Sequence, residues 1–225
     1  MSEIASNIIV ISKSLPESVK LVAVSKTMPP AVVMEAYNAG HRVFGENRVQ
    51  ELLNKKDLLP HDIEWHLIGH LQRNKVKYIV PFISMIQSVD SVRLLKTVDD
   101  EATKAGRVVD VLLQVHIARE EAKFGFSKPE LEGMLGSGEL RSMRGIRIRG
   151  LMGMATFTDD GETIRSEFRF LAGLFRELHE KFFDGDPLFS ELSMGMSGDY
   201  RIAVSEGSTM VRIGSLIFGE RKIRH

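Results

Sequence analysis

Lys26 is the residue whose type and position point most directly to chemistry. It closes the apolar run Leu21-Val22-Ala23-Val24-Ser25-Lys26-Thr27, and because strand side chains alternate between faces, it shares a face with Val22 and Val24. If that face points into a packed interior, desolvation lowers the pKa of the amine, which can then form a Schiff base with a carbonyl. Taken alone, the run favours a surface lysine that ends a strand, but the rest of the chain reverses that preference.

A second cluster of informative residues lies in the last quarter of the chain. The segment Ser193-Met194-Gly195-Met196-Ser197-Gly198-Asp199 runs from a strand end towards a predicted helix over 200–206, which Ser197 could cap. Gly214 lets an anion approach the backbone, and Ser215 follows it. Ser197 and Gly214-Ser215 together predict a phosphate site, whereas the simpler alternative is a serine cap and a strand glycine.

Arg212 completes the set of residues that suggest a cofactor. It shares strand parity with Met210 and Gly214, and an arginine that faces a packed interior needs a hydrogen-bond acceptor. A Schiff-base lysine, a phosphate site and an inward arginine together describe a site for pyridoxal phosphate. In that site the lysine takes the aldehyde and the arginine donates to the ring nitrogen.

The other candidate ligand types give weaker signals. The seven histidines show no metal-ligand spacing with carboxylates, so we predict no metal. The four methionines at 152, 154, 194 and 196 are predicted to form core and ring-packing surface, with Met194 in contact with the cofactor.

Eight short, mostly apolar runs alternate with helix-like segments and must position these residues. Continuous apolar runs are typical of parallel strands that are covered on both faces. Eight strand–helix units in 225 residues predict an α/β fold: a single (β/α)8 TIM barrel domain over 1–225, with an extra N-terminal helix over 4–14. The alternative is an open doubly wound sheet. The predicted strands span 19–27, 42–47, 64–70, 85–90, 108–117, 148–155, 191–196 and 209–218.

The helix signals and the polar strand ends agree with that barrel. Ser91 is a predicted N-cap, and Ser127 with Glu130 is a predicted capping box. Active sites of such barrels lie at the carboxyl ends of the strands. The polar residues predicted at those ends are Lys26, Glu46, Asn47, His70, Gln72, Ser88, Asp90 and His116.

Composition excludes several classes of function. Lys+Arg and Asp+Glu both number 30, so the balance favours neither a nucleic-acid nor a membrane surface. The absence of cysteine excludes disulfides, thiolate metal sites and cysteine nucleophiles. Since the N-terminus lacks a signal-peptide pattern and no apolar run is long enough to span a bilayer, we expect a cytoplasmic protein, and a monomer.

Seven short motifs follow one another along essentially the whole chain. They are Ala23-Val24-Ser25-Lys26-Thr27, Phe44-Gly45-Glu46-Asn47, Trp65-His66-Leu67-Ile68-Gly69-His70-Leu71-Gln72, Ser88-Val89-Asp90, Gly150-Leu151-Met152, Ser193-Met194-Gly195-Met196-Ser197-Gly198-Asp199, and Val211-Arg212-Ile213-Gly214 through Ile217-Phe218-Gly219. None suffices alone, but in this order they resemble the pyridoxal phosphate homeostasis protein family (YggS, or PROSC in animals). The fold of that family matches the N-terminal barrel of bacterial alanine racemases.

The resemblance implies a role for each candidate residue. Lys26 would be the Schiff-base lysine, and Arg212 would face the pyridine nitrogen. The phosphate would be held by Ser197, Gly214 and Ser215, and the pocket would be lined by Asn47 and His70.

Two departures from the family pattern concern the edge of the pocket near the fifth strand. His116 stands where the family usually has asparagine, and Phe124 stands between Lys123 and Gly125, where it usually has a small residue.

The leading functional hypothesis is a non-catalytic pyridoxal phosphate binder that buffers the cofactor or delivers it to apo-enzymes. An arginine at the ring nitrogen disfavours ring protonation, which weakens the ring as an electron sink. Alanine racemases also carry a second, β-rich domain that supplies a catalytic tyrosine from another subunit, and we expect that domain to be absent here.

Two alternatives stay open. An amino-acid racemase or lyase would need an acid/base partner such as Tyr200, Tyr37 or His116. A barrel enzyme acting on a phosphorylated metabolite would use Lys26 as an aldolase-type amine.

Overall fold

Eight parallel strands close into a barrel in chain order in the computed structural model, which describes residues 2–118 and 124–219. Strand β1 pairs with β8, with Val22 opposite Arg212, so the sheet has no open edge. The structure therefore confirms the TIM barrel and excludes the open sheet. The strands are β1 (Lys20–Val24), β2 (Val43–Glu46), β3 (Glu64–Leu67), β4 (Met85–Val89), β5 (Val109–Val115), β6 (Ile146–Gly153), β7 (Glu191–Ser193) and β8 (Met210–Ile213).

Helices alternate with the strands and cover the outside of the barrel. Those in the described residues are α1 (Glu3–Ser14), α2 (Pro30–Asn38), α3 (Val49–Lys56), α4 (Val76–Ile79), α5 (Val92–Lys104), α6 (Lys128–Gly136), α7 (Gly161–Phe182), α8 (Tyr200–Ser205) and α9 (Ser215–Phe218). Two 3-10 segments lie at Arg73–Lys75 and Glu139–Ser142. Across residues 2–118 and 124–219, no helix combines the length and the apolar character that a membrane crossing requires.

The local sequence signals explain several helix ends. Ser91 accepts a hydrogen bond from the Leu94 amide at the start of α5. Ser127 and Glu130 form the predicted capping box of α6, with the Ser127 amide bonded to Glu130 Oε2 at 2.8 Å. The extra N-terminal helix is α1, which buries Ile8 and Ile11. The structure confirms these predicted helix ends. They could be predicted from the sequence because capping depends on residues only three positions apart.

The apolar residues form two separate cores. The larger one lies between the strands and the surrounding helices and includes the fully buried Phe44, Phe168 and Phe189. The smaller one fills the inside of the barrel and consists of Val22, Met85, Leu112, Met152 and Met210, with Val43 packed against it. Inward-pointing side chains next to this smaller core therefore lie just below the carboxyl ends of the strands.

The predicted eighth strand over 209–218 is too long. Strand β8 ends at Ile213, and Ser215–Phe218 forms the short helix α9. The chain turns at Gly214, whose carbonyl accepts hydrogen bonds from the amides of Ile217 and Phe218 at 2.9 Å. An apolar run shows no periodicity that distinguishes a short buried strand from the first turn of a helix. The sequence pattern therefore does not indicate where β8 ends and α9 begins.

Candidate functional site

A cavity of about 780 Å³ opens at the carboxyl ends of the strands. It is where the barrel rule places the active sites of this architecture. The loops after β1, β2, β7 and β8 contribute to its walls, together with the long segment between β6 and α7. Six of the predicted site residues line this cavity, namely Lys26, Asn47, Ser197, Arg212, Gly214 and Ser215.

Lys26 lies in a turn beyond β1 and not in the strand itself. Val22 points into the barrel and Val24 lines the cavity, as the predicted alternation requires. The carbonyl of Ser25 then accepts from the amide of Met28 at 3.0 Å, which makes Lys26 the second residue of a four-residue turn. The half-buried Lys26 still lines the cavity, so the prediction placed the residue correctly but assigned it the wrong local structure.

Thr27, the third residue of that turn, has an unfavourable backbone conformation. Its φ is 66°, a positive value of the kind that a type II turn requires at this position and glycine usually supplies. For a β-branched residue such a conformation costs about 1–3 kcal/mol and persists only when surrounding contacts enforce it. The turn that carries Lys26 is therefore held by its neighbours.

Helix α3 and strand β2 supply those neighbouring contacts. Lys55 Nζ donates to the Ser25 carbonyl at 2.8 Å and to Glu46 Oε1 at 2.6 Å, and Ser25 Oγ donates to the same Glu46 oxygen at 2.7 Å. The Thr27 amide donates to Glu51 Oε2 at 2.6 Å. Burial raises the pKa of Glu46, and the Lys55 ammonium opposes that shift. The contacts of Lys55 and Glu51 with this turn were not predicted from the sequence. Their one signal there is a spacing of four residues, which places two side chains on the same helix face.

Asn47 presents an unsatisfied group at the cavity. Its Oδ1 is buried and has no hydrogen-bond partner within the described residues. Its backbone packs tightly against Gly69, where an added Cβ would lie 2.4 Å from the Asn47 carbonyl oxygen. Because buried acceptors in native proteins are normally satisfied, Asn47 Oδ1 fits a site that receives a ligand or a water.

Ser197 and Gly214 meet at another part of the cavity wall. The Gly214 amide donates to Ser197 Oγ at 3.3 Å, which joins the loops after β7 and β8. An added Cβ on Gly214 would lie 3.2 Å from the Val24 carbonyl oxygen. Glycine therefore allows the backbone at this position to lie close to β1. Ser215 lines the cavity directly after it. Two hydroxyl groups beside backbone amides suit an anionic group.

The prediction that Ser197 caps the following helix is wrong. Helix α8 begins at Tyr200, and Asp199 occupies the N-cap position without a side-chain cap hydrogen bond. The Asp199 carboxylate instead accepts from the Met196 amide. Burial raises the pKa of Asp199, against the opposing effects of that amide and of the Arg212 charge. The loop therefore bends at Met196–Asp199 and leaves Ser197 facing β8.

Arg212 is buried at the base of the cavity and confirms its predicted inward direction. Its guanidinium donates to Ser193 Oγ at 2.6 Å and to the Gly153 carbonyl at 2.9 Å. Burial lowers the pKa of Arg212 to about 10, while the negative charge of Asp199 opposes that shift. Arg212 is thus a cation at neutral pH.

A chain of buried polar groups supports Arg212 from inside the barrel. Ser193 Oγ donates to Gln87 Oε1 at 2.7 Å, and Gln87 Nε2 lies 2.9 Å from His66 Nδ1. Burial lowers the pKa of His66 to about 3, with a further contribution from the Lys20 charge. Neutral His66 can therefore accept from Gln87 at Nδ1. The sequence predicted that these polar residues lie in the third, fourth and seventh strands, but it did not predict that they bond to one another.

Two predicted site residues lie elsewhere. His70 Nδ1 lies 3.0 Å from Asp90 Oδ2, and its ring is stacked on Phe124 with the ring centroids 4.1 Å apart. Met194 is fully buried in the outer core, because Ser193 points into the barrel and the alternation turns the next residue outward. Neither residue belongs to the cavity lining that the described residues form, and their cofactor contacts stay predictions. Met154 and Met196, by contrast, do line the cavity.

The departures near the fifth strand also lie apart from the cavity walls. The His116 amide donates to the Phe126 carbonyl at 3.0 Å, and Phe124 packs on His70. Lys123 lies outside the described residues. Within residues 2–118 and 124–219, no group of three or more histidine or carboxylate side chains could hold a metal ion.

Comparisons with known proteins identify the class. The model of the alanine racemase N-terminal domain family matches residues 1–222. The pyridoxal phosphate homeostasis protein of Aquifex aeolicus is 42% identical over 204 residues, which cover 90% of this chain and 87% of that protein. The mouse protein of the same name is 42% identical over 213 residues, 90% of this chain and 77% of its own length. The chain therefore belongs to the alanine racemase N-terminal domain family and, within it, to the pyridoxal phosphate homeostasis proteins.

Solved structures agree with this assignment. PipY of Synechococcus elongatus, solved with pyridoxal phosphate bound, is 38% identical with a TM-score of 0.87 over 96% of this chain and 100% of PipY. An alanine racemase of Clostridium difficile superposes with a TM-score of 0.77 but is only 12% identical, and this chain covers 57% of it. That second likeness concerns the fold alone.

Proposed function

We propose that this protein binds pyridoxal phosphate through a Schiff base with Lys26 and serves cofactor homeostasis without substantial turnover. The observation that carries the proposal is the convergence of an amine, an anion-binding wall and a buried arginine on one cavity. The names of the relatives and the cofactor bound to PipY support it.

Each part of the cavity suits one part of the cofactor. Lys26 would hold the aldehyde end of the cofactor as a Schiff base, with the aldehyde oxygen released as water. Ser197, Gly214 and Ser215 line the wall that suits the phosphate. Arg212 would face the ring nitrogen, and Asn47 Oδ1, which has no hydrogen-bond partner within the described residues, would accept from the cofactor. When bound, the cofactor supplies an electrophilic aldehyde and a conjugated ring.

Arg212 favours storage of the cofactor over catalysis. Its guanidinium stays charged at neutral pH because burial lowers its pKa only to about 10. A cation that donates to the ring nitrogen disfavours protonation of that nitrogen, so the ring withdraws electrons weakly. The alternative, a racemase, needs a second base at the cavity.

The second-base candidates taken from the sequence lie away from the cavity. Tyr37 Oη donates to Asp62 at 2.7 Å near the opposite end of β2, and the Tyr200 hydroxyl accepts from Arg201 at 3.3 Å. Neither tyrosine, nor His116, belongs to the cavity lining that the described residues form. Asp199 does line it, but its carboxylate already accepts from the Met196 amide.

Borohydride reduction followed by peptide mass spectrometry tests the attachment. The wild-type protein incubated with pyridoxal phosphate should carry one reduced adduct on the peptide that contains Lys26. Lys26→Ala should lose the adduct and the visible absorbance yet keep the far-UV circular dichroism of the wild type. Lys77→Ala, at an exposed lysine, is the control and should keep both. An adduct that persists in Lys26→Ala would refute the assignment.

A turnover assay separates homeostasis from catalysis. The loaded protein should show no appreciable racemisation, transamination or decarboxylation with the common amino acids, and it should reactivate a cofactor-depleted apo-enzyme. A robust turnover with one amino acid that disappears in Lys26→Ala would instead establish an enzyme. Its loss in Asp199→Asn would then identify the second base.

A further inference from the structure

One helix holds the turn of Lys26 from both sides. Glu51 and Lys55 lie four residues apart on α3 and so project from the same helix face. Glu51 Oε2 accepts from the amide of Thr27, just after Lys26, at 2.6 Å. Lys55 Nζ donates to the carbonyl of Ser25, just before Lys26, at 2.8 Å. The chain on either side of Lys26 is therefore tied to one rigid element.

The turn needs these restraints. Thr27 has a φ of 66°, and within residues 2–118 and 124–219 it is the one non-glycine residue with a positive φ. Such a conformation relaxes unless the surrounding structure enforces it. Relaxation at Thr27 would redirect the Lys26 side chain, because the two residues share a peptide group.

Lys55 is itself fixed from within the barrel wall. Its ammonium is buried and bonded to Glu46 Oε1 at 2.6 Å, and that oxygen also accepts from Ser25 Oγ at 2.7 Å. The strand hydrogen bond from the Ser25 amide to the Gly45 carbonyl adds a further link to β2. Movement of Lys55 would break several buried bonds together, so this side of the turn is rigid.

We propose that Glu51 and Lys55 are positioning residues, which hold the Lys26 amine where it captures an aldehyde ligand. The inference rests on the proposed function, since it assigns these residues to Schiff-base formation at Lys26. The cavity lining, as formed by the described residues, includes neither side chain. Glu51 and Lys55 act on Lys26 through the backbone on both sides of it. The ring and the phosphate of a ligand do not react with the amine, so they are recognised without Glu51 and Lys55.

Two ligands separate positioning from general structural damage. Pyridoxal phosphate reacts with an amine, whereas pyridoxine 5′-phosphate has the same ring and phosphate but no aldehyde. Glu51→Ala should weaken binding of pyridoxal phosphate about tenfold, the loss expected for one charge-assisted hydrogen bond. Binding of pyridoxine 5′-phosphate should stay within about twofold of the wild type. Glu51→Gln keeps an acceptor oxygen and should restore most of the aldehyde affinity.

The lysine arm of the test needs a companion variant. Lys55→Met leaves the Glu46 carboxylate buried without its partner and can fail to fold, so the double variant Lys55→Met/Glu46→Gln removes the charge as well. It should show the same selective loss for the aldehyde. Gln50→Ala and Lys56→Met change neighbouring positions on α3 that face away from the turn, and they should bind both ligands as the wild type does.

The outcomes are distinct. An equal loss for both ligands in Glu51→Ala, or no loss for either, overturns the positioning role. If the Lys55 variants do not fold, Glu51→Ala decides alone, because its bond lies at the protein surface. A wild-type protein that forms no borohydride-fixed adduct at Lys26 would overturn the proposed function instead, whatever the variants do.

Discussion

His66 should make the folded protein sensitive to mild acid. Its imidazole is buried inside the barrel, which lowers its pKa from 6.5 to about 3. In the unfolded chain the same group takes up a proton as the pH falls through about 6.5. The unfolded state therefore binds more protons between about pH 6.5 and pH 3, and the stability due to neutral His66 falls as the pH falls through that window.

The size of the effect follows from the same two pKa values. At pH 5 the unfolded histidine is about one and a half pH units below its pKa while folded His66 is still neutral, and each unit corresponds to about 1.4 kcal/mol. The free energy of unfolding should therefore drop by about 2 kcal/mol between pH 7.5 and pH 5 through His66 alone. That is a measurable part of a total of about 5–15 kcal/mol.

Urea unfolding of the cofactor-free protein at pH 7.5, 6 and 5 measures this slope. His66→Gln retains an oxygen that can accept from Gln87 and should remove about 2 kcal/mol of the pH dependence. His61→Gln, at an exposed position, should retain the wild-type slope. Burial also lowers the pKa of His41, but that contribution is common to all three proteins. Equal slopes in wild type and His66→Gln would refute the reasoning.

Three other predictions concern the cavity. Pyridoxal without its phosphate should bind far more weakly than pyridoxal phosphate in a fluorescence titration, since each charge-assisted hydrogen bond contributes about 1.5–3 kcal/mol; equal affinities would refute the anion-binding wall at Ser197 and Gly214. Ser193→Ala should lower the free energy of unfolding by about 1–3 kcal/mol in urea, because it removes an acceptor of the buried Arg212; an unchanged midpoint would show that the hydrogen bond is dispensable. Gly69→Ala should destabilise the protein and weaken cofactor binding together, since its Cβ would lie 2.4 Å from the Asn47 carbonyl oxygen; thermal melting and titration at wild-type values would contradict this.

The sequence was sufficient to predict the barrel because its signals are local or repeated. Strand–helix alternation, the N-terminal helix and the capping box at Ser127 each depend on residues a few positions apart. The barrel rule then placed Lys26, Asn47 and Arg212 around one cavity, as the structure shows. Their part in binding a cofactor stays a prediction.

The interactions that hold the site could not be predicted in this way. The contact between Lys55 and the Ser25 carbonyl joins residues 30 positions apart, and that between Ser193 and Gln87 joins residues 106 positions apart. Periodicity shows which face a side chain occupies, but it does not show which side chain on another element lies opposite. Register, loop course and packing fix that partner.

The amino-acid sequence by itself determined the eight-stranded barrel, the inward direction of Arg212 and the end of the barrel at which the polar residues gather, since strand alternation and parallel order dictate all three. Only the tertiary structure decided that Lys26 lies in a strained turn, that Ser197 bonds to Gly214 and caps no helix, and that Met194 faces the outer core. The physical reason is that each of these depends on contacts between separate elements, which form only when the barrel closes and brings the loops together.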